Sequence, residues 1–173
     1  MTENYRRLEL NLKSNTKEFI KIINYVKGRL PNEKAETKED KIDLDEFSFE
    51  VVNMASKVFE NKELVLHVTI TRKVLPTIYS DYITLKYIFS KILMMCVKGA
   101  KNGTIVTLSI RKKRNYCIYE FIYRNGEKNS INDKWKEWLY SIVEDNKGTL
   151  TIKEKKNTYT FICLILWTII PEE

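Results

Sequence analysis

One histidine in 173 residues excludes most histidine chemistry. His67 alone cannot build a zinc site or a Ser-His-Asp triad. It lies in an alternating, strand-like run, where a structural role is expected. The three cysteines, Cys96, Cys117 and Cys163, each sit in an apolar run, and no pair has metal-ligand spacing. That pattern predicts buried free thiols in a reducing compartment. Long hydrophobic runs are also missing. The longest apolar stretch, from Phe161 to Ile170, is too short to span a bilayer. The Met1 end is polar, which predicts no signal peptide, a cytoplasmic location and no membrane partner.

What is present is a core and an excess of positive charge. Hydrophobic residues make up 43% of the chain, which excludes a disordered polymer. The formal net charge is +7. Such an excess favours acidic partners: an acidic protein face, nucleic acid or an anionic membrane surface. The bland alternative is a lysine-rich solvated surface, because the basic residues lie scattered among acids.

From Tyr5 to Leu30 the chain reads as one long helix. Tyr5, Leu8, Leu12, Asn15, Phe19, Ile22 and Val26 alternate steps of three and four, with one polar break at Asn15. Strict 3-4 spacing suits a helix-helix seam, so residues 1–30 are expected to self-associate as a coiled coil. The alternative is a helix packed on its own domain. Gly28 and Pro31 end this helix. Residues 31–41 carry almost no apolar side chain and read as a charged linker, with a charged helical extension as the alternative. Residues 42–173 then form one domain.

In that domain Ile42 to Leu44 forms a strand, and Asp43 or Asp45 caps a helix to about Glu60. Leu64 to Ile70 alternates as a strand, and Leu75-Pro76 turns the chain. Asp81 caps a helix whose face is Leu85, Ile88, Phe89, Ile92, Leu93, Cys96 and Val97. Asn102-Gly103 turns into the strands Thr104 to Arg111 and Tyr116 to Tyr123, joined by a basic turn. A helix from Asp133 to about Glu144 is ended by Gly148. Strands from Thr149 to Lys153 and Thr158 to Thr168 close the chain. The order β-α-β-α-β-β-α-β-β predicts an α+β fold, with helices on one face of a mixed sheet.

That order resembles the ATP-binding catalytic domain of sensor histidine kinases, in the GHKL superfamily. Lys41 to Ile70 is similar to that family's first strand, helix and second strand. Leu75 to Ile110 is similar to the segment holding its asparagine box, which reads Asn-Leu-Leu-x-Asn-Ala-x-Lys. Tyr140 to Leu166 resembles its last helix and closing hairpin. The resemblance implies a two-layer α/β sandwich of the histidine-kinase ATPase type. It also matches the long N-terminal helix to the second helix of the kinase dimerisation hairpin, the basis for expecting a homodimer.

The same resemblance implies that the chemistry is lost. The two asparagine positions, which hold magnesium in the family, fall at Lys91 and Met95. Neither offers a hard oxygen ligand. The adenine-binding aspartate falls at Arg124, whose guanidinium has donors only. Gly126 alone remains of that box. The second glycine box falls near Asp133 to Trp135, where no glycine stands. Lys98 matches a family phosphate-contacting lysine, or is a solvated helix-end lysine. The helix from Tyr5 to Leu30 contains no histidine to accept a phosphoryl group. The reading is therefore a pseudokinase with no cofactor and no catalytic residue.

Such a chain is expected to be a regulator or adaptor for a protein partner. Candidate partners are a response regulator, a sensor kinase or the transcription machinery. Arg124, Trp135 and Trp138 are the candidate contacts, with Tyr140 nearby; the alternative is that these aromatics fill the vacated pocket as core. A second reading is a basic nucleic-acid-binding module. It rests on Arg111, Lys112, Lys113 and Arg114 at one turn and Lys153, Lys155 and Lys156 at another, near Tyr116 and Tyr159. A third is a residual nucleotide-binding kinase or ATPase.

The seam makes a direct prediction. Truncating a buried seam residue typically costs ~2–5 kcal/mol. The double change Phe19→Ala with Ile22→Ala therefore converts a dimer into a folded monomer in sedimentation. A wild-type chain that is already monomeric at high micromolar concentration places the seam inside its own fold.

Overall fold

The computed structural model describes residues 39–60, 62–71, 73–126, 133–155 and 159–168. The helix expected from Tyr5 to Leu30, with its seven seam residues, lies outside them, as do residues 31–38 of the expected linker. Three helices and seven strands follow: β1 (Asp40–Asp43), α1 (Leu44–Glu60), β2 (Val65–Ile70), β3 (Thr77–Ser80), α2 (Tyr82–Gly99), β4 (Ile105–Lys113), β5 (Tyr116–Tyr123), α3 (Asp133–Asp145), β6 (Gly148–Lys155) and β7 (Tyr159–Trp167).

Five strands make one mixed sheet in the order β2-β4-β5-β7-β6. The β2-β4 pair is parallel and the other pairs are antiparallel. Side chains alternate across such a sheet. Val106, Leu108 and Ile110 of β4 and Ile162, Leu164 and Leu166 of β7 are all buried on one face. That face needs a cover, and the three helices supply it. The α+β sandwich expected from the sequence is the fold.

Two capping aspartates set the helix starts. Asp43 accepts from the amides of Asp45 (2.9 Å) and Glu46 (3.4 Å). Asp45, the alternative cap, instead accepts from the Leu75 amide at 3.2 Å. Asp81 accepts from the amides of Ile83 (3.0 Å) and Thr84 (3.1 Å). These bonds satisfy donors that an α-helix leaves unpaired at its start.

Helix α2 is the centre of the molecule. Every residue from Tyr87 to Leu93 is buried. A run of that length goes round the helix nearly twice, so α2 is enclosed rather than amphipathic. Phe89 meets Phe47 of α1 edge-on at 5.1 Å and Tyr119 of β5 at 4.7 Å. The Tyr119 hydroxyl and Ser48 Oγ are 2.7 Å apart, so this buried phenol has a partner. Burial holds its pKa well above the ordinary tyrosine value.

The structure corrects the sequence reading at three places. Strand β3 was absorbed into the turn expected at Leu75-Pro76. It pairs antiparallel with β1, so β1 belongs to a separate two-stranded ribbon rather than to the main sheet. That pairing draws Asp40 and Lys41 out of the expected linker and into the fold. Gly148 does not end α3. Lys147 takes the left-handed conformation there (φ 61°), and Gly148 begins β6. A Cβ at Gly148 would lie 3.0 Å from both the Ile165 carbonyl oxygen and Val143 Cγ1. Close packing, not the turn, requires that glycine.

A second close approach gives a test. A Cβ on Gly99 would lie 2.8 Å from the Tyr123 hydroxyl oxygen and 2.9 Å from its ring. Tyr123 is buried, so its ring must move to make room. Gly99→Ala should cost ~1–3 kcal/mol in urea unfolding, as overpacked sites do. Gly103→Ala has open space but a φ of 76°. Its cost comes from backbone strain alone.

Candidate functional site

The two positions expected to match the asparagine box lie on α2, Lys91 in its enclosed middle and Met95 beyond it, half-buried. Lys91 is only 6% exposed. An isolated ammonium at such a depth is costly. Here aromatic faces receive it. Lys91 Nζ lies 4.4 Å from the centroid of the Trp135 ring and 5.4 Å from that of Tyr87. Trp138 closes the group, edge-on to Tyr87 at 5.2 Å and to Trp135 at 5.7 Å. The ring quadrupoles attract the cation, and the attraction grows when water is excluded. Helix spacing builds this cage. Tyr87 stands four residues before Lys91 on α2, and Trp138 three residues after Trp135 on α3.

The cage joins two elements. Trp135 stays 44% exposed on the first turn of α3. Trp138 is half-buried and packs on the core. Tyr140 turns to the sheet, where its hydroxyl accepts from the Ile152 amide at 3.0 Å. Met95, one turn beyond Lys91, also packs on the core. Trp138 and Tyr140 thus do structural work, and Trp135 does both: it covers Lys91 and presents an open face.

Arg124 and Gly126 lie at the C-terminal end of α2. The Gly126 amide donates to the Gly99 carbonyl at 2.8 Å, and the Lys101 amide donates to the Arg124 carbonyl at 2.9 Å. The Arg124 side chain is exposed. Lys62 Nζ donates to the carbonyls of Val97 and Lys98, at 3.1 Å for the latter, and so caps the helix end. Desolvation there lowers the Lys62 pKa from its ordinary value. Lys98 points to the exposed side. Behind these residues, Thr160 Oγ1 donates to Asn125 Oδ1 at 2.5 Å.

The candidate contacts do not form one patch. Arg114 is exposed at the β4-β5 turn, while Lys112 and Lys113, expected in that turn, are the last residues of β4, half-exposed and exposed. Arg124 follows the opposite end of β5, roughly 25 Å away along the strand. His67 stands exposed on β2, paired with Thr107 of β4. Cys96 and Cys117 are buried free thiols, and burial pushes Cys117 up to about 12. A thiol so raised is not a nucleophile at neutral pH. Among the described residues no cluster of His, Cys, Asp or Glu suits a metal ion, and no helix is long and apolar enough to cross a membrane.

Sequence reasoning missed Tyr87 and the pairing of Lys91 with Trp135. The first had a signal: an aromatic and a lysine four residues apart on a helix are neighbours. The second had none, because residues 91 and 135 meet only through the fold.

No protein-family model matches the sequence, and a search of the curated proteins finds no match. Solved structures do match. Histidine kinase AdeS from Acinetobacter baumannii has a TM-score of 0.59 and 11% identity, covering 88% of this chain and 76% of its own. The cytoplasmic segment of histidine kinase QseC has a TM-score of 0.60 and 9% identity, covering 95% and 99%. Histidine kinase ThkA, solved in complex with the response regulator protein TrrA, has a TM-score of 0.65 and 13% identity. That match covers 98% of this chain but 55% of ThkA, so the chain spans little more than half of it. The fold is that of the histidine-kinase ATPase domain. At these identities the likeness speaks for the fold alone.

The cage predicts an energetic coupling across the helices. In a double-mutant cycle of Lys91→Met and Trp135→Leu, urea unfolding should return a coupling of ~0.5–2 kcal/mol, the range for a desolvated cation on an aromatic face. Additive effects would mean that the two side chains merely lie near each other.

Proposed function

We propose that this chain is a histidine-kinase-like regulator or adaptor that binds a protein partner and no nucleotide. The observation that carries the reading is Lys91 in its cage. The first position where the family holds magnesium is filled by the chain's own cation, covered by Trp135. A divalent ion brought there meets like charge and finds no oxygen ligand at Lys91 or Met95. Arg124 stands where the adenine amino group needs an acceptor, and offers only donors.

On this reading residues 42–173, extended at the front by Asp40 and Lys41, are the binding module. Residues 1–30 are its dimerisation element, reached through the charged stretch 31–41. The partner belongs to a two-component or transcription-control pathway. A response regulator suits best, since the similar kinase ThkA was solved with one. Arg124 and the open face of Trp135 are the contacts proposed for it. Large aromatics and arginines dominate interface energies because they combine buried area with directional donors.

Ligand at a hundred times its dissociation constant stabilises a fold by ~2.7 kcal/mol, equivalent to about 5–10 °C for a domain of this size. Millimolar Mg-ATP should leave the melting temperature unchanged. A shift of that size, removed by Lys98→Ala, overturns the reading and restores the nucleotide-binding alternative.

A further inference from the structure

The helices cover one face of the five-stranded sheet. The other face is built unlike an ordinary solvated sheet surface. Its middle is a strip along β5 and β7, where Tyr116, Ile118 and Ile122 stand beside Trp167, Ile165 and Phe161 in register. Trp167 is 45% exposed and Tyr159, at the far end of β7, is 53% exposed. The rings of Tyr116 and Trp167 lie 4.9 Å apart, and the indole N–H donates to Thr149 Oγ1 at 3.2 Å. The largest aromatic on this face is thus pinned by two neighbours and still open to solvent.

Positive charge flanks the strip on both sides. Arg111 and Lys113 line it on β4, and Lys153 and Lys155 line it on β6. Register places Lys113 against Tyr116, Lys153 against Phe161 and Lys155 against Tyr159. Glu120 is the one acid among the described outward-facing residues of these strands, and Arg111 pairs with it at 2.5 Å. Lys113, Lys153 and Lys155 are exposed.

We propose that this sheet face binds single-stranded nucleic acid. Cations beside the strip neutralise phosphates, and open aromatic rings stack on unpaired bases. A duplex keeps its bases stacked inside and offers this face phosphates alone. An acidic protein supplies charge but no planar bases for Trp167 and Tyr159. The chemistry is sequence-tolerant, because stacking and phosphate contacts do not read base edges. This site lies on the opposite side of the sheet from the Lys91 cage and stands independently of the protein-partner reading.

The test is fluorescence anisotropy of the full chain with three labelled probes: an oligothymidylate, a mixed-sequence duplex of equal length, and polyglutamate. The oligothymidylate should bind most tightly. Trp167→Ala with Tyr159→Ala should weaken it roughly tenfold or more, the size of one lost stacking contact. Lys153→Ala with Lys155→Ala are exposed changes that leave the fold intact. They should lower the slope of log K against log salt by about 1.4, for two lost phosphate contacts on a single strand. Arg124→Ala should change nothing. Equal binding of duplex or polyglutamate, an unchanged affinity in the aromatic variant while circular dichroism shows it folded, or an unchanged salt slope in the lysine variant overturns the proposal. So does sedimentation showing that the wild type dimerises through this face and that the aromatic variant is monomeric.

Discussion

Enclosure of α2 on every side is the constraint from which the rest follows. Its apolar residues meet the sheet through Phe89 and Tyr119 and meet α1 through Phe47. One position in the enclosed run is a lysine. Burying its ammonium without compensation would cost more than one marginal domain can bear. The cage answers that demand. Tyr87 supplies one aromatic face from α2 itself, and α3 supplies Trp135, supported by Trp138. The position of α3 over α2 is thereby tied to Lys91.

The two ends of α2 show the same economy of polar groups. Asp81 satisfies the first amides, and Lys62 satisfies carbonyls at the last turn. The loop after β5 adds a backbone bond from Gly126 to Gly99. Glycine stands at 99 because Tyr123 leaves no room for a Cβ.

Much of the fold was legible because long elements carry their own signals. The cap at Asp81, the apolar run that follows and the alternation along β4, β5 and β7 each fix an element locally. Strand β3 was not legible. Four residues after a proline are too few to show a period, and their pairing with β1 is a tertiary fact. Lys147 was misread for a related reason. A left-handed lysine gives no signal beside a glycine, which draws the turn to itself. At the site, the individual residues were visible in the sequence, and their arrangement was not. The sequence put Trp135 where the resemblance expects the second glycine box. Only the fold shows that it covers Lys91, that Arg124 lies at the end of α2 instead, and that the basic turn sits at the far end of β5.

The central claim is that Lys91 is a caged cation held between α2 and α3. Nuclear magnetic resonance of selectively labelled lysine reads this directly. The account predicts that the Lys91 ε-methylene protons, lying over Trp135 and Tyr87, are displaced well upfield of the other lysines. They should return toward them in Trp135→Leu and stay in place when Mg-ATP is added. A Lys91 signal at the ordinary lysine position, or one that Mg-ATP releases from the rings, would contradict it.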